Sequence, residues 1–128
     1  MSFIEFKNVC KMYPGSDKNT VDNFNLEIEE KEFIAFVGPS GCGKSTTLRM
    51  IAGFEEITGG ELYIDGKKVN DIAPRDRGIS MVFQNYALYP HMTVEKNIGY
   101  GLKNMKMPAD QIKQKVDWAI KILGLEEY

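Results

Sequence analysis

The sequence has few of the residues that build disulfide frameworks and metal sites. Its 128 residues contain two cysteines, Cys10 and Cys42, and a single histidine, His91. Two cysteines make no network of bridges, and this usage is typical of a reducing compartment such as the cytoplasm. One histidine without partners at metal-ligand spacing argues against a zinc centre.

The sequence also lacks long apolar runs and an excess of charge. No run approaches the ~20 apolar residues that a membrane helix needs, and the N-terminal segment has no basic region followed by an apolar stretch, so we predict no signal peptide. The net charge of −2 and the lack of a basic stripe argue against nucleic acid as a partner. These absences predict a cytoplasmic globular protein with the length of one domain.

A glycine-rich loop is the most informative feature that the sequence does contain. Residues 38–45, Gly-Pro-Ser-Gly-Cys-Gly-Lys-Ser, fit the phosphate-binding pattern G-x-x-x-x-G-K-[ST]. The apolar run at 33–37 predicts a buried parallel strand, and residues 46–52 predict a helix that ends at Gly53. Strand, loop and helix in this order are the context that the pattern requires.

Each residue type in this loop suits phosphate binding. Glycines let backbone N–H groups approach phosphate oxygens closely, and the helix N-terminus adds partial positive charge. We predict that Lys44 reaches the β- and γ-phosphates and that the Ser45 hydroxyl ligates Mg²⁺. The predicted nucleotide-binding residues of the loop are Gly38, Ser40, Gly41, Cys42, Gly43, Lys44, Ser45 and Thr46.

Alternating apolar and polar residues predict an antiparallel part of the fold. Two such stretches, 3–12 and 21–30, precede the loop and read as neighbouring strands. Beyond the first helix, the pair Asp65-Gly66 separates residues 61–64 from 67–69. This pair is the strongest short signal for a β-hairpin turn.

The second half of the sequence predicts one more strand and two helices. Residues 79–83 are apolar and predict a second buried strand. Thr93 can cap a helix over 94–105, and a further apolar helical face ends at Gly124. That face consists of Ile112, Val116, Ala119, Ile120 and Leu123. The charged run Arg75-Asp76-Arg77 is interpreted as a solvated loop or a local ion pair.

Three further features, taken with the loop, resemble one family. Tyr13 lies about 25 residues before the loop, Gly59-Gly60-Glu61 is followed by Asp65-Gly66, and Met81-Val82-Phe83-Gln84 ends in a glutamine. The chain resembles the first half of the ATPase subunit of an ABC transporter. The segment 76–94 is most similar to the bacterial sugar-importer branch.

The resemblance implies roles for residues outside the loop. Tyr13 matches the aromatic residue that stacks on adenine, and stacking uses the flat π faces of ring and base. Gln84 matches the glutamine that touches Mg²⁺ and the attacking water, so the implied metal residues are Ser45 and Gln84 and the implied catalytic residues are Lys44 and Gln84. The segment Tyr86–Met92 matches the part that contacts the transmembrane permease subunits.

The resemblance also implies the fold class, an α/β P-loop NTPase core of the ABC ATPase type, truncated. Residues 1–91 would form a partial nucleotide-binding core with an antiparallel β subdomain, and residues 92–128 the start of a helical subdomain. The acidic strand, the signature and the switch histidine would lie beyond residue 128. Asp65 also follows apolar residues, but we do not assign it the role of the acidic strand, because the following Gly66 predicts a hairpin turn at this position. We therefore expect weak ATP binding without significant hydrolysis, and expect that segments 33–37 and 79–83 each lack a parallel neighbour.

The function implied for the parent protein is ATP hydrolysis coupled to solute import. Its ligands would be ATP and Mg²⁺, its partners the permease and a second ATPase subunit in a homodimer, and its place the cytoplasmic face of the membrane. The solute, expected to be a carbohydrate, is chosen by other subunits. Alternatives are a polyamine importer, a small-molecule kinase, an ABC ATPase acting on DNA or ribosomes, and a non-catalytic nucleotide-binding module.

Overall fold

The computed structural model describes residues 2–128, which form two compact units. The first ends at Met81 and the second runs from Val82 to Tyr128. The expected division into 1–91 and 92–128 stays a prediction. The elements are β1 (Ile4–Lys11), β2 (Val21–Ile28), α1 (Lys44–Ala52), β3 (Gly59–Ile64), β4 (Lys67–Lys68), a 3-10 turn (Pro74–Asp76), α2 (Val94–Asn104) and α3 (Ala109–Leu123).

The first unit contains a four-stranded sheet in the order β2-β1-β3-β4, in which every neighbouring pair is antiparallel. Both predicted N-terminal strands and the hairpin are confirmed. The hairpin turn has φ angles of 49° at Asp65 and 72° at Gly66, as a type I′ turn requires. The buried core lies between the sheet and α1 and consists of Phe6, Val9, Val21, Met50, Leu62, Ile64 and Val69.

A bulge in β1 changes which side chains of that strand face inward. Its pairing with β2 shifts between Phe6 and Val9, so the buried positions are 6, 9 and 11 rather than a strict alternation. Asn8 takes a positive φ of 50° there. A Cβ on Gly60, in β3, would lie 2.3 Å from the Asn8 carbonyl oxygen, so only glycine fits. The bulge thereby turns Lys11 toward the interior.

The two predicted buried strands, 33–37 and 79–83, are wrong as strands. Neither segment joins a ladder within residues 2–128, and Phe33, Val37 and Val82 are 91%, 89% and 92% exposed. An apolar run becomes a buried strand only where neighbouring strands satisfy its backbone groups, and no strand of the described sheet runs beside these segments. This agrees with the expectation that both lack a parallel neighbour.

The three predicted helices are confirmed, with boundaries set by local capping. α1 ends at Gly53 and α3 at Gly124, and both glycines have a left-handed backbone. α2 begins where the Thr93 hydroxyl accepts a hydrogen bond from the Lys96 N–H at 3.2 Å. None of the helices formed by residues 2–128 combines the length and apolar character needed to cross a membrane.

Candidate functional site

The loop at 38–45 bends through two glycines with a left-handed backbone. Gly41 and Gly43 have φ angles of 79° and 95°, which other residues rarely adopt. A Cβ on Gly43 would also lie 3.0 Å from the Thr20 carbonyl oxygen and 3.1 Å from Val21 Cγ2. Glycine at position 43 therefore lets the loop pack directly against the start of β2.

Lys44 is the first residue of α1, and its side chain folds back over the loop. The ammonium group donates hydrogen bonds to the carbonyl oxygens of Gly38 and Pro39, the latter at 2.8 Å, and to Cys42 Sγ at 3.5 Å. Within the described chain it forms no ion pair with a carboxylate. An anion entering the loop would offer it a stronger hydrogen bond, in which donor and acceptor are both charged.

The N-terminus of α1 is open to an anion. Gly43 is its N-cap, no side chain caps it, and its first turn contains no acidic residue, so its partial positive charge is not compensated there. Thr47 turns inward and donates to the Gly43 carbonyl at 2.8 Å. Ser40, Cys42 and Ser45 are exposed. The loop thus places the Lys44 ammonium beside a helix N-terminus that no side chain caps.

Tyr13 lies two residues beyond β1 and reaches the first turn of α1. Its hydroxyl is 3.1 Å from Thr46 Oγ1 and donates to Glu55 Oε2 at 3.2 Å. Its carbonyl accepts a hydrogen bond from the Ser16 N–H at 3.1 Å, closing a turn in which Gly15 has a φ of 80°. The structure therefore brings together two residues that the sequence placed in the site, Tyr13 and Thr46.

Lys11 and Glu55 complete this group of side chains, although sequence analysis identified neither. Lys11 Nζ lies 2.9 Å from Glu55 Oε1 and 4.9 Å from the centroid of the Tyr13 ring. The hydrogen bond from Lys11 lowers the pKa of the Glu55 carboxyl, with Tyr13 and Arg49 acting in the same direction. The two residues are far apart in sequence, and Lys11 faces inward only because of the bulge in β1.

Gln84 lies in the second unit, exposed in a short turn. Its predicted role beside Ser45, which belongs to the first unit, stays a prediction. The segment Tyr86–Met92 follows it and exposes large apolar side chains, among them Tyr86 and Leu88. An exposed group of this kind is typical of a surface that binds a partner.

The Asn97 side chain on α2 forms hydrogen bonds with the backbone of this segment. Its Oδ1 accepts from the Tyr89 N–H at 2.8 Å, and its Nδ2 donates to the carbonyls of Tyr89, Met92 and Thr93 at 3.0–3.2 Å. The Tyr89 ring packs on Tyr100, with centroids 4.5 Å apart. Asn97 was not identified from the sequence. The signal that could have found it is that asparagine is a poor helix former, so its place inside a predicted helix indicates a side chain that binds nearby backbone groups.

The interpretation of residues 75–77 as a solvated loop or a local ion pair holds for Arg75 and is wrong for Arg77. Arg75 does form an exposed local ion pair with Asp76 at 3.5 Å. Arg77 is buried and donates to the carbonyls of Ile72, Met50 and Ile51 at 2.8–3.1 Å. It thus binds the C-terminal end of α1, whose N-terminus carries the loop.

Comparison with known proteins places this geometry in context. The family model described as "ABC transporter" matches residues 21–128. The chain is 62% identical to the oligosaccharides import ATP-binding protein MsmX of Bacillus subtilis over its whole length, which is 35% of MsmX. It is 57% identical to the multiple sugar-binding transport ATP-binding protein MsmK of Streptococcus mutans, over 98% of the chain and 33% of MsmK.

A third relative is named for a different solute. The sn-glycerol-3-phosphate import ATP-binding protein UgpC of Bartonella quintana is 52% identical over the whole chain, which is 36% of UgpC. The chain thus spans about a third of the length of these curated relatives.

Solved structures match the fold over nearly the whole chain. The ATP-binding cassette MJ0796, solved as a dimer in a post-hydrolysis state with ADP and Pi, superposes with a TM-score of 0.83 at 34% identity. The match covers 97% of this chain and 58% of that one. The expected fold class is therefore confirmed. Because the family model covers residues 21–128 and the sheet, loop and helices match an ATP-binding cassette, the chain belongs to the ABC transporter family.

Proposed function

We propose that this chain is the nucleotide-binding part of an ATPase that drives solute import. The observation that carries the proposal is the position of Lys44, whose ammonium lies over the loop with no carboxylate partner among residues 2–128, beside an uncapped helix N-terminus. Phosphate oxygens are the anions that such a loop binds. Lys44 would leave the carbonyls of Gly38 and Pro39 to bind the β- and γ-phosphates.

Mg²⁺ fits the residues at this end of α1. The Ser45 hydroxyl is an exposed oxygen with no hydrogen-bond partner within the described chain, and Mg²⁺ prefers oxygen ligands. Residues 2–128 contain no group of three His, Cys, Asp or Glu side chains that could hold a metal alone. Nucleotide phosphates and water would therefore supply other ligands, with Gln84 proposed as a further contact. When bound, Mg²⁺ would neutralise charge on the β- and γ-phosphates.

Tyr13 is proposed to bind the base. Its ring stands near the first turn of α1, because its hydroxyl contacts Thr46. A base stacked on this ring would place its phosphates toward the loop that precedes Thr46. Aromatic stacking stabilises a bound base by about 1–3 kcal/mol.

The solute class and partners are proposed from the names of the relatives. MsmX and MsmK are named for oligosaccharides and for sugars, so we propose carbohydrate import. Binding of the permease is proposed at Tyr86–Met92, because this segment exposes apolar side chains and is held by Asn97. A second ATPase subunit is proposed as a partner because the cassette MJ0796 was solved as a dimer. These contacts would place the protein on the cytoplasmic face of the membrane.

Calorimetry with ATP and Mg²⁺ tests nucleotide binding by the 128-residue chain. We expect saturable but weak binding, reduced at least tenfold in Lys44→Ala, because a charge-assisted contact is lost. Lys18→Ala is the matched control, since this lysine lies outside the loop, and should bind as the wild type does. Equal affinity in Lys44→Ala and the wild type would contradict the proposal.

The same protein should release phosphate no faster than Lys44→Ala does. Hydrolysis needs an acidic group that positions water or Mg²⁺. Asp65 follows an apolar strand and is the candidate for such a group, but it lies in the hairpin turn with a φ of 49°. Phosphate release that exceeds the Lys44→Ala level in proportion to protein concentration would overturn this part.

A further inference from the structure

Tyr13, Thr46, Glu55 and Lys11 form one connected group, in which Glu55 is the common partner. Its two carboxylate oxygens divide their contacts: Oε1 lies 2.9 Å from Lys11 Nζ, and Oε2 accepts from the Tyr13 hydroxyl at 3.2 Å. Arg49 Nε lies 3.8 Å from Oε2. One glutamate therefore connects the end of β1 and the turn after it with α1.

The charge of Glu55 determines the direction of the hydrogen bonds around the Tyr13 hydroxyl. The hydrogen bond from Lys11 lowers the pKa of Glu55, so the carboxylate is an acceptor at neutral pH. Tyr13 has a single hydroxyl proton, which it donates to Glu55. Its oxygen then accepts from Thr46 Oγ1, 3.1 Å away. The ring is held at its hydroxyl end by a chain of two hydrogen bonds.

Lys11 restricts the ring in a second way. Its ammonium stands 4.9 Å from the ring centroid, in cation–π geometry, and its side chain is 6% exposed. A ligand base can therefore stack only on the face of Tyr13 that is turned away from Lys11. Tyr13 itself lies outside the strands and helices, in the turn after β1. Without these contacts, rotation about its side-chain bonds would have to be stopped when the base binds, at a cost in affinity.

We propose that Glu55 is a positioning residue for the base subsite, which holds the Tyr13 ring in the orientation that stacks on the base of a nucleoside triphosphate. The inference rests on the proposed function, since it requires that Tyr13 binds a base. Glu55 touches neither base nor phosphate in this scheme. It acts through Tyr13 and stays in place through Lys11.

The test compares two ligands, ATP and inorganic tripolyphosphate, in the presence of Mg²⁺. Tripolyphosphate carries the phosphate chain without a base, so it reports on the loop alone. We expect Glu55→Gln to weaken ATP binding by about three- to tenfold, a part of the stacking contribution, while tripolyphosphate binding changes by less than about twofold. Glu56→Gln, at the exposed neighbouring position, should change neither affinity.

Tyr13→Phe provides a second variant that leaves the Lys11–Glu55 pair intact. It keeps the ring and removes the hydroxyl, so it should weaken ATP binding to the same extent as Glu55→Gln and leave tripolyphosphate binding unchanged. The double variant should lose no more than either single variant, because both act on the contact between Tyr13 and Glu55. Tyr13→Phe removes the donor, and Glu55→Gln replaces the charged acceptor by a neutral amide oxygen and breaks the ion pair with Lys11. Thermal melting of each variant confirms that it is folded.

The measurements distinguish a failure of nucleotide binding from a failure of the positioning role of Glu55. If the wild type binds neither ATP nor tripolyphosphate, the proposed function fails, and the inference fails with it. If the wild type binds both ligands but Glu55→Gln weakens them in parallel, or weakens neither, Glu55 has no positioning role. Losses in the double variant that equal the product of the single losses would also overturn it, because Glu55 would then act by a route other than Tyr13.

Discussion

At the scale of single residues, Arg77 shows how burial gives a charged side chain a structural role. It is 8% exposed and forms no ion pair with a carboxylate within the described chain, and burial lowers the pKa of its guanidinium. Its partners are backbone carbonyls, two of them from Met50 and Ile51 near the end of α1. Carbonyls at a helix C-terminus lack partners inside the helix and carry partial negative charge. Arg77 supplies both a hydrogen-bond donor and a positive charge to these carbonyls.

Replacing Arg77 by methionine should destabilise the first unit by about 2–3 kcal/mol, because three carbonyls lose the hydrogen bond from its guanidinium. Denaturant unfolding followed by far-UV circular dichroism measures this change. Arg75→Met is the matched control, since Arg75 is an exposed neighbour with one ion pair, and its cost should stay below about 1 kcal/mol. Equal stabilities of the two variants would show that the contacts of Arg77 contribute little.

At the scale of elements, boundaries that depend on local chemistry were predicted and those that depend on distant partners were not. The Asp65-Gly66 turn, the Thr93 cap and the glycine stop at Gly124 are each determined within a few residues, and all three are confirmed. The strand predicted at 33–37 needs neighbouring strands at both edges, and an apolar run carries no information about whether they are present. The bulge in β1 depends on contact with Gly60, in β3.

Removing the Asn97 side chain should loosen the segment before α2 without unfolding the helix. In Asn97→Ala, the Tyr89 N–H loses its acceptor and three carbonyls lose the side-chain donor, while the Tyr89 and Thr93 carbonyls keep backbone donors. This should cost about 1–2 kcal/mol. Asn97→Asp keeps an acceptor for the Tyr89 N–H but loses the donors. Amide hydrogen exchange at Tyr89 should therefore accelerate more in Asn97→Ala than in Asn97→Asp. Asn104→Ala, at the exposed end of the same helix, is the control and should leave this exchange unchanged.

At the scale of the whole molecule, the glycine-rich loop could be recognised from the sequence because its pattern lies within eight consecutive residues, and the family resemblance supplied Tyr13. Lys11 and Glu55, which surround Tyr13, could not be predicted, because their positions depend on contacts across long stretches of chain. Tyr13 meets Glu55 across 42 residues, and Arg77 meets Met50 across 27. Such pairs are visible only once the sheet has brought β1 beside β3 and α1 has packed on it.

Two apolar segments of the chain favour its association with further copies of itself. The segments 33–37 and 79–83 join no strand ladder within the described residues, and they expose Phe33, Val37 and Val82 almost completely. Large apolar side chains exposed in this way favour contact with another molecule. We expect the 128-residue chain to self-associate at micromolar concentration in light scattering, and Phe33→Glu with Val82→Glu to reduce the associated fraction. Glu30→Lys, at an exposed position outside both segments, should not reduce it. A monodisperse monomer with one cooperative melting transition would contradict this, since the exposed segments would then be covered within a single chain.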